Sequence, residues 1–122
     1  MSDSFNLTDK AASLEKPWTP KVVAELNGQF VKVGMADGEY VWHTHEDEDE
    51  MFLVTEGHLE IHLRDRVVEL GVGDSFVIPR GVEHKPVSRG ISRFVLFEPA
   101  TTRNTGAVDH DYTIEPEDLE RI

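Results

Sequence analysis

The chain has 122 residues, with 24 acidic and 12 basic side chains and a formal net charge of −12. This length predicts one domain, residues 1–122, with a single modest core, and the negative charge makes nucleic acid and anionic membrane surfaces poor partners because both would repel the chain. The chain has no cysteine, so disulfides and thiolate ligands are excluded and any bound metal must use nitrogen and oxygen ligands.

The N-terminal segment predicts a short helix. Residues 5–16 place Leu7, Ala11 and Leu14 on one helical face, and Pro17 ends the pattern. The first residues have no basic start and no apolar run, so neither a signal peptide nor a membrane span is predicted. We therefore expect a cytoplasmic protein, with which the lack of cysteine is compatible.

Short β-rich runs replace the helical pattern over residues 21–98, the predicted barrel core, and a polar tail follows over residues 99–122. Strands this short and this regularly spaced predict a sandwich or a barrel. Leu59 and Ile61 alternate with His58 and His62, so the leucine and isoleucine are expected inside and the histidines in solvent. The predicted strands are Lys21–Leu26, Gln29–Met35, Glu39–His45, Met51–Thr55, Leu59–Arg64, Val67–Leu70, Ser75–Ile78 and Ser92–Phe97.

His43 and His45 lie two residues apart in the predicted strand Glu39–His45. Side chains at this spacing project from the same face of a strand, so both imidazoles can reach one metal ion. The pair is a weak signal by itself, because such pairs also occur at exposed strand edges. By the same alternation, Tyr40 and Trp42 are expected to face away from the metal and to pack between sheets or across a dimer contact.

Glu50 precedes the predicted strand Met51–Thr55 and shares a face with Phe52 and Val54, which are core-like. An acid on a core face is costly unless it is paired or binds a cation. The alternative is that Glu50 merely ends the solvated acidic run Glu46–Asp49. The position of Glu50 on the same strand face as Phe52 and Val54 argues against that alternative.

His84 follows a rigid turn. The sequence Gly73-Asp74 leads into the strand Ser75–Ile78, and Pro79-Arg80-Gly81 follows it. Pro79 fixes the exit of the strand and Gly81 suits a positive φ, so the turn aims His84. Taken alone, His84 would be an ordinary surface histidine.

Together these segments resemble the two sequence motifs of the cupin superfamily, over about residues 38–98. The pattern is His-x-His, four residues, Glu, six residues, Gly57, and then Gly73, five residues, Pro-x-Gly, two residues and His. The resemblance implies an all-β double-stranded β-helix, a jelly-roll cupin barrel, preceded here by the short helix. It also implies one divalent metal ion inside the barrel, bound by His43, His45, Glu50 and His84.

Three imidazoles and one carboxylate leave one or two open positions on a six-coordinate ion, as a Lewis acid or an oxygen-activating centre requires. The resemblance favours iron or manganese, and zinc, nickel or cobalt also suit these ligands. We expect a small-molecule metalloenzyme of the isomerase, lyase or dioxygenase type, with the substrate and the catalytic base left open. The alternatives are a non-catalytic module that binds or senses a small ligand, and a metal that only stiffens the barrel. A homodimer is expected, with the helix and strand 21–26 at the contact, because exposed barrel edges favour pairing.

Overall fold

The computed structural model describes residues 3–122, and within that range the chain forms the predicted all-β jelly roll with one short helix. The prediction of an all-β jelly roll preceded by a short helix is thereby confirmed. No helix in residues 3–122 has the length and apolar character needed to cross a membrane. The elements are α1 (Leu7–Ala12), β1 (Lys21–Leu26), β2 (Gln29–Glu39), β3 (Glu50–Glu56), β4 (Leu59–Leu63), β5 (Val67–Leu70), β6 (Ser75–Ile78), β7 (His84–Pro99) and a 3₁₀ turn (Pro116–Asp118).

The long strand β7 connects the two parts of the sheet. All pairings are antiparallel, in the order β1-β2-β7-β3-β6, and β4 pairs with both β5 and β7. The first residues of β7, from His84 to Val87, pair with β4. Its later residues, from Ser92 onward, lie between β2 and β3. One strand therefore has its two ends in different parts of the barrel wall.

The predicted strand Glu39–His45 is wrong, because β2 continues as far as Glu39 and residues 40–49 lie outside the regular strands. A bulge between Ala36 and Gly38 shifts the register of β2 there. The following segment is held by a single bridge in which the His43 and His84 amides donate to each other's carbonyls at 3.0 and 2.9 Å.

Two predicted elements differ in length from those observed. The helix covers Leu7–Ala12 rather than residues 5–16. It begins after Asn6, whose side chain accepts a hydrogen bond from the Asp9 amide at 2.9 Å and so caps the first turn. Strand β7 begins at His84 rather than at Ser92, because the residues from His84 to Val87 pair with β4 before the strand passes through Gly90, whose φ is 99°.

The core has two parts on either side of the sheet. The barrel interior contains Leu59 and Ile61, both 0% exposed, as the alternation predicted. The second part lies beneath α1, where Ala11 and Leu14 pack against the outer face of β2 and β7. Because the middle of β2 is covered on both faces, the five consecutive residues Lys32–Ala36 are all buried.

The C-terminal residues cover part of the edge of β1. The Val22 amide donates to the Glu120 carbonyl at 2.9 Å, and the Ile122 amide donates to the Val22 carbonyl at 3.0 Å. The short 3₁₀ turn Pro116–Asp118 precedes this contact. The exposed edge on which the dimer prediction depends is thus partly paired within the chain itself.

Candidate metal centre

Three histidines converge inside the barrel. One ring nitrogen from each of His43, His45 and His84 lies within 4.8 Å of the other two. The residues are 3%, 4% and 0% exposed, respectively. The bridge between His43 and His84 places two of the rings side by side, with centroids 4.2 Å apart.

Backbone carbonyls orient two of these rings. His43 Nδ1 lies 2.8 Å from the Val41 carbonyl oxygen, and His84 Nδ1 lies 2.9 Å from the Val82 carbonyl oxygen. A carbonyl can only accept, so each Nδ1 carries the proton in a neutral ring, and each Nε2 keeps its lone pair. This is the arrangement that usually fixes a metal-binding imidazole.

Glu50 completes the predicted set at the start of β3. It is 5% exposed and shares its buried face with Phe52 and Val54, as its phase predicted. Its Oε2 lies 2.9 Å from His45 Nε2, and its Oε1 lies 3.7 Å from His84 Nε2. The structure thus brings all four predicted residues together.

The donor atoms fit a cation better than they fit one another. Although Glu50 is close, neither His45 Nε2 nor His84 Nε2 has a well-aligned hydrogen-bond partner among the described residues. A buried polar atom without a partner costs about 1–3 kcal/mol. Nitrogen and oxygen donors that converge in this way could hold one divalent ion, which would satisfy them.

Burial and mutual charge set the protonation of these groups. Burial is the main reason why the pKa of His43 falls to about 4, and the nearby His84 lowers it further. Burial acts to raise the pKa of Glu50, but the adjacent His45 and His84 imidazoles outweigh burial and hold that pKa well below its usual value. Burial lowers the pKa of His84, but Glu50 raises it more, so that it stands above its usual value. A metal ion therefore meets an ionised carboxylate and a neutral His43.

A buried ion pair next to these residues was missed by the sequence analysis. Lys32 on β2 is 0% exposed and Glu98 on β7 is 2% exposed, and Lys32 Nζ lies 2.8 Å from Glu98 Oε1. A carboxylate oxygen of Glu98 also lies within 4.8 Å of ligand atoms of His45 and Glu50. The sequence does indicate that Glu98 is buried, because Glu98 follows Phe94 and Leu96 in the same alternation that identified Glu50.

Only one of the two Glu98 carboxyl oxygens has a hydrogen-bond partner among the described residues. Its Oε2 is buried and has no hydrogen-bond partner among residues 3–122. Burial and the negative charge of Glu50 raise the pKa of Glu98 well above its usual value, while Lys32 opposes that shift. The two carboxyl groups of Glu50 and Glu98 are thus pushed towards different protonation states, which is common at functional sites.

A small cavity of about 40 Å³ adjoins the centre. Its walls are mostly apolar, and His43, Glu50 and Glu98 contribute one imidazole and two carboxyl groups. The expectation that Tyr40 faces away from the metal residues is wrong, because Tyr40 lines this cavity and its ring meets that of His43 edge-on at 5.4 Å. Trp42 does face outward, where the Arg64 guanidinium lies 3.7 Å from its ring centre.

Aromatic residues from three parts of the chain pack together at one wall of the cavity, which Trp18 and Tyr40 line. Trp18 packs on Tyr40 with ring centroids 4.7 Å apart, and Tyr112 of the tail stacks on Tyr40 at 5.7 Å. Trp18 has a left-handed backbone, with φ of 59°, and it is held by donation from its indole nitrogen to the Asp37 carbonyl at 3.1 Å. This conformation is uncommon for a bulky residue, and such conformations cluster at functional sites.

The tail is fastened over the histidine segment at Gly106. A Cβ at this position would lie 2.2 Å from the Thr44 carbonyl oxygen, and its φ is +61°. Asn104 lines the cavity and is fixed by two bonds, one to the Tyr112 carbonyl at 2.9 Å and one from the Ile114 amide at 3.0 Å. The polar tail thus forms part of the cavity wall.

Comparison with known proteins places these features in context. A family model for the cupin domain matches residues 30–98. The uncharacterized protein YdbB of Bacillus subtilis (strain 168) is 36% identical over 86 residues, which cover 70% of this chain and 76% of that protein. The crystal structure of a cupin-2 domain containing protein from Shewanella frigidimarina is similar with a TM-score of 0.75 and 42% identity, over 78% of this chain and 93% of that chain. Protein NMB1881 from Neisseria meningitidis is similar with a TM-score of 0.72 and 26% identity, over 80% of this chain and 99% of that chain.

Proposed function

The chain belongs to the cupin domain family, and on that premise we propose that it is a metal-binding cupin that acts as a small-molecule metalloenzyme. The proposed ligands are His43, His45, Glu50 and His84. The observation that carries the proposal is the set of three buried imidazoles whose nitrogens converge within 4.8 Å, two of them without an aligned partner among the described residues. Iron or manganese is the favoured ion, and zinc, nickel or cobalt would also accept these ligands.

The chemistry would be divided between the ion and the chain. A bound divalent ion supplies a Lewis acid or an oxygen-binding centre, as isomerase, lyase or dioxygenase chemistry requires. The carbonyls of Val41 and Val82 keep the His43 and His84 rings in the tautomer that presents Nε2. The apolar walls exclude water, which strengthens every polar contact made inside the cavity.

Metal analysis of the purified protein tests the proposed site. We expect one divalent ion per chain in the wild type and a loss of most of that metal in His84→Ala, because His84 supplies one of the three converging ring nitrogens. The matched control is His58→Ala, since His58 is 53% exposed on the outer surface and its loss leaves the cluster intact. Full metal content in His84→Ala would overturn the site assignment.

Turnover measurements separate the enzyme from the non-catalytic binding module. The metal-loaded protein would be screened for oxygen uptake and for conversion of small acids and sugars, with His84→Ala as the inactive reference. Turnover that depends on His84 supports the enzyme. Tight ligand binding without turnover supports the binding module instead.

The homodimer and the cytoplasmic location remain proposals. β1 is an edge strand of the sheet, and Leu26 at its end is 47% exposed. The contact would use the part of β1 beyond Val22, because the C-terminal residues already pair with Val22. Light scattering after gel filtration would test the dimer, and a mass equal to one chain at micromolar concentration would contradict it.

A further inference from the structure

Residues 103–115 of the C-terminal tail form a loop whose polar contacts lie within the loop itself. The Arg103 guanidinium donates to both carboxylate oxygens of Glu115 at 3.1 Å and to Asp109 at 2.7 Å. The Asn104 side chain also bonds only to backbone groups of the same loop. Among the described residues, no hydrogen bond or ion pair joins this loop to a barrel strand. The loop therefore keeps its shape without polar contacts to the barrel.

The chain is tied to the barrel on both sides of this loop. Before the loop, the Ala100 amide donates to the Gly28 carbonyl at 3.0 Å. After the loop, the Ile122 amide donates to the Val22 carbonyl at 3.0 Å. The loop thus has two fixed ends and no polar tether between them.

The other walls of the cavity are held by backbone hydrogen bonds. Most of the lining residues lie in the paired strands β2, β3 and β7. The Trp18 amide donates to the Met35 carbonyl at 2.8 Å, and the Tyr40 amide donates to the Pro86 carbonyl at 2.9 Å. Asn104 is the part of the wall that the loop contributes, and both of its hydrogen bonds stay inside the loop. This part of the wall can move without breaking a bond to the barrel.

The loop rests on the barrel through packing contacts at two places. Tyr112 stacks on Tyr40 with ring centroids 5.7 Å apart. Gly106 lies against Thr44, where a Cβ would be 2.2 Å from the Thr44 carbonyl oxygen. A cleft of about 240 Å³ lies beside this second contact and reaches His45. The contact between the loop and the histidine segment is therefore the place where the cavity wall can separate.

We infer that residues 103–115 form a lid that opens at this contact and controls the access of small molecules to the cavity. Segments that have few contacts with the core open at a lower free energy than the whole domain, and a closed lid keeps water out of the site beneath it. The match to the cupin family model ends at residue 98, so the lid lies outside the matched region. The inference goes beyond the proposed function, because it concerns access to the cavity and holds whichever ion the histidines bind.

Introduced thiols can measure access to the cavity, because the chain has no cysteine. Leu96→Cys places a thiol in the cavity wall, at a position that is 8% exposed. Ile61→Cys is the matched reference, since Ile61 is 0% exposed in the barrel interior and does not line the cavity. The metal-free proteins would be treated with iodoacetamide at one pH, and the gain in mass would be followed with time. We expect Leu96→Cys to react at least about 100-fold faster than Ile61→Cys, whose thiol is reached only when the barrel unfolds.

Gly106→Ala tests whether the lid is the gate. Its Cβ would clash with the Thr44 carbonyl oxygen in the closed position, and opening relieves that clash. Leu96→Cys should therefore react about 10-fold faster in this background. Gly73→Ala is the control, because Gly73 also has a positive φ, of +87°, but has open space at the Cβ position. It introduces similar backbone strain away from the lid and should leave the Leu96→Cys rate unchanged.

Tyr112→Ala is a second lid variant, and it decides the matter if circular dichroism shows that Gly106→Ala does not fold. It removes the ring that packs on Tyr40 without opening a hole in the cavity wall, because Tyr112 is not a lining residue. This background should also accelerate the reaction of Leu96→Cys.

Three results would overturn the inference. Equal rates for Leu96→Cys and Ile61→Cys would mean that the cavity opens only when the whole barrel unfolds. An unchanged Leu96→Cys rate in a folded lid variant would mean that the lid is not the gate. Equal acceleration of both thiols by a lid variant, or equal acceleration of Leu96→Cys by Gly73→Ala, would indicate global destabilisation instead. Because no metal ion is used, these outcomes are independent of the proposed metal site.

Discussion

Removal of the buried ammonium group is expected to destabilise the protein strongly. Lys32→Met keeps most of the side-chain volume, so little cavity is created, but it leaves Glu98 unpaired at 2% exposure. Breaking a buried pair by removing one partner costs about 3–5 kcal/mol. That is a large part of the roughly 5–15 kcal/mol that holds a domain of this size folded. Urea denaturation of the metal-free protein at pH 8 would measure the change in the free energy of unfolding.

The pH dependence of that loss has a definite sign. Without Lys32, burial and Glu50 raise the pKa of Glu98 further in the folded state, whereas the unfolded value stays near about 4.3. The folded protein then binds more protons than the unfolded chain, so its stability falls as the pH rises from the unfolded pKa through the folded one. We expect the cost of Lys32→Met to be smaller at pH 6 than at pH 8.

The double variant Lys32→Met/Glu98→Met is the decisive control. Replacement of a buried pair by apolar side chains of similar volume is often neutral or stabilising, so it should recover most of the stability that Lys32→Met loses. A loss below about 1 kcal/mol in Lys32→Met, or an equal loss in the double variant, would refute the reasoning that an unpaired carboxylate is the cause.

The cavity itself can be probed from two sides. Gly34→Ala should lower the free energy of unfolding by about 1–3 kcal/mol through overpacking, because a Cβ there would lie 2.4 Å from Phe94 Cζ. In the control Gly71→Ala the nearest atom is 3.5 Å away, so the free energy of unfolding should change by less than about 0.5 kcal/mol. Equal losses for the two variants in urea denaturation would contradict this. In Trp42→Phe, the remaining indole of Trp18 lines the cavity, so addition of Mn²⁺ should change its fluorescence, and an unchanged spectrum in a protein that has bound metal would count against a cavity next to the ion.

The metal residues could be predicted because their positions are encoded locally. Glu50 was identified as a buried acid because it shares a strand face with apolar residues, and the turn at Pro79 and Gly81 indicated that His84 has a fixed orientation. The resemblance to the cupin motifs then placed these residues in one metal site. The same phase argument applied to Glu98 would have identified a second buried acid. It was missed because Lys32, the residue that makes its burial tolerable, is 66 positions away in the chain, and sequence spacing gives no sign of that pairing.

The error at Tyr40 has a different origin. Strict alternation puts Tyr40 and His43 on opposite faces, but alternation holds only while the chain remains a regular strand. β2 ends at Glu39, and beyond it the Tyr40 amide donates to the Pro86 carbonyl at 2.9 Å, outside any ladder. The side chain therefore turns towards the cavity. Beyond the end of a regular strand, alternation is no longer a reliable guide to the face that a side chain takes.

Strand β7 explains why the site and the fold should form together. His84 is the first residue of β7 and Glu98 is its penultimate one, yet both ends lie at the same centre because the strand pairs first with β4 and then with β2 and β3. Neither sheet region alone brings Glu50, His84 and Glu98 together. A metal ion that binds only the closed barrel adds its binding free energy to the stability of the whole fold. A metal ion bound by Glu50 and His84 would link the start of β3 to the start of β7, and its loss should be felt as global unfolding rather than as fraying at the cavity.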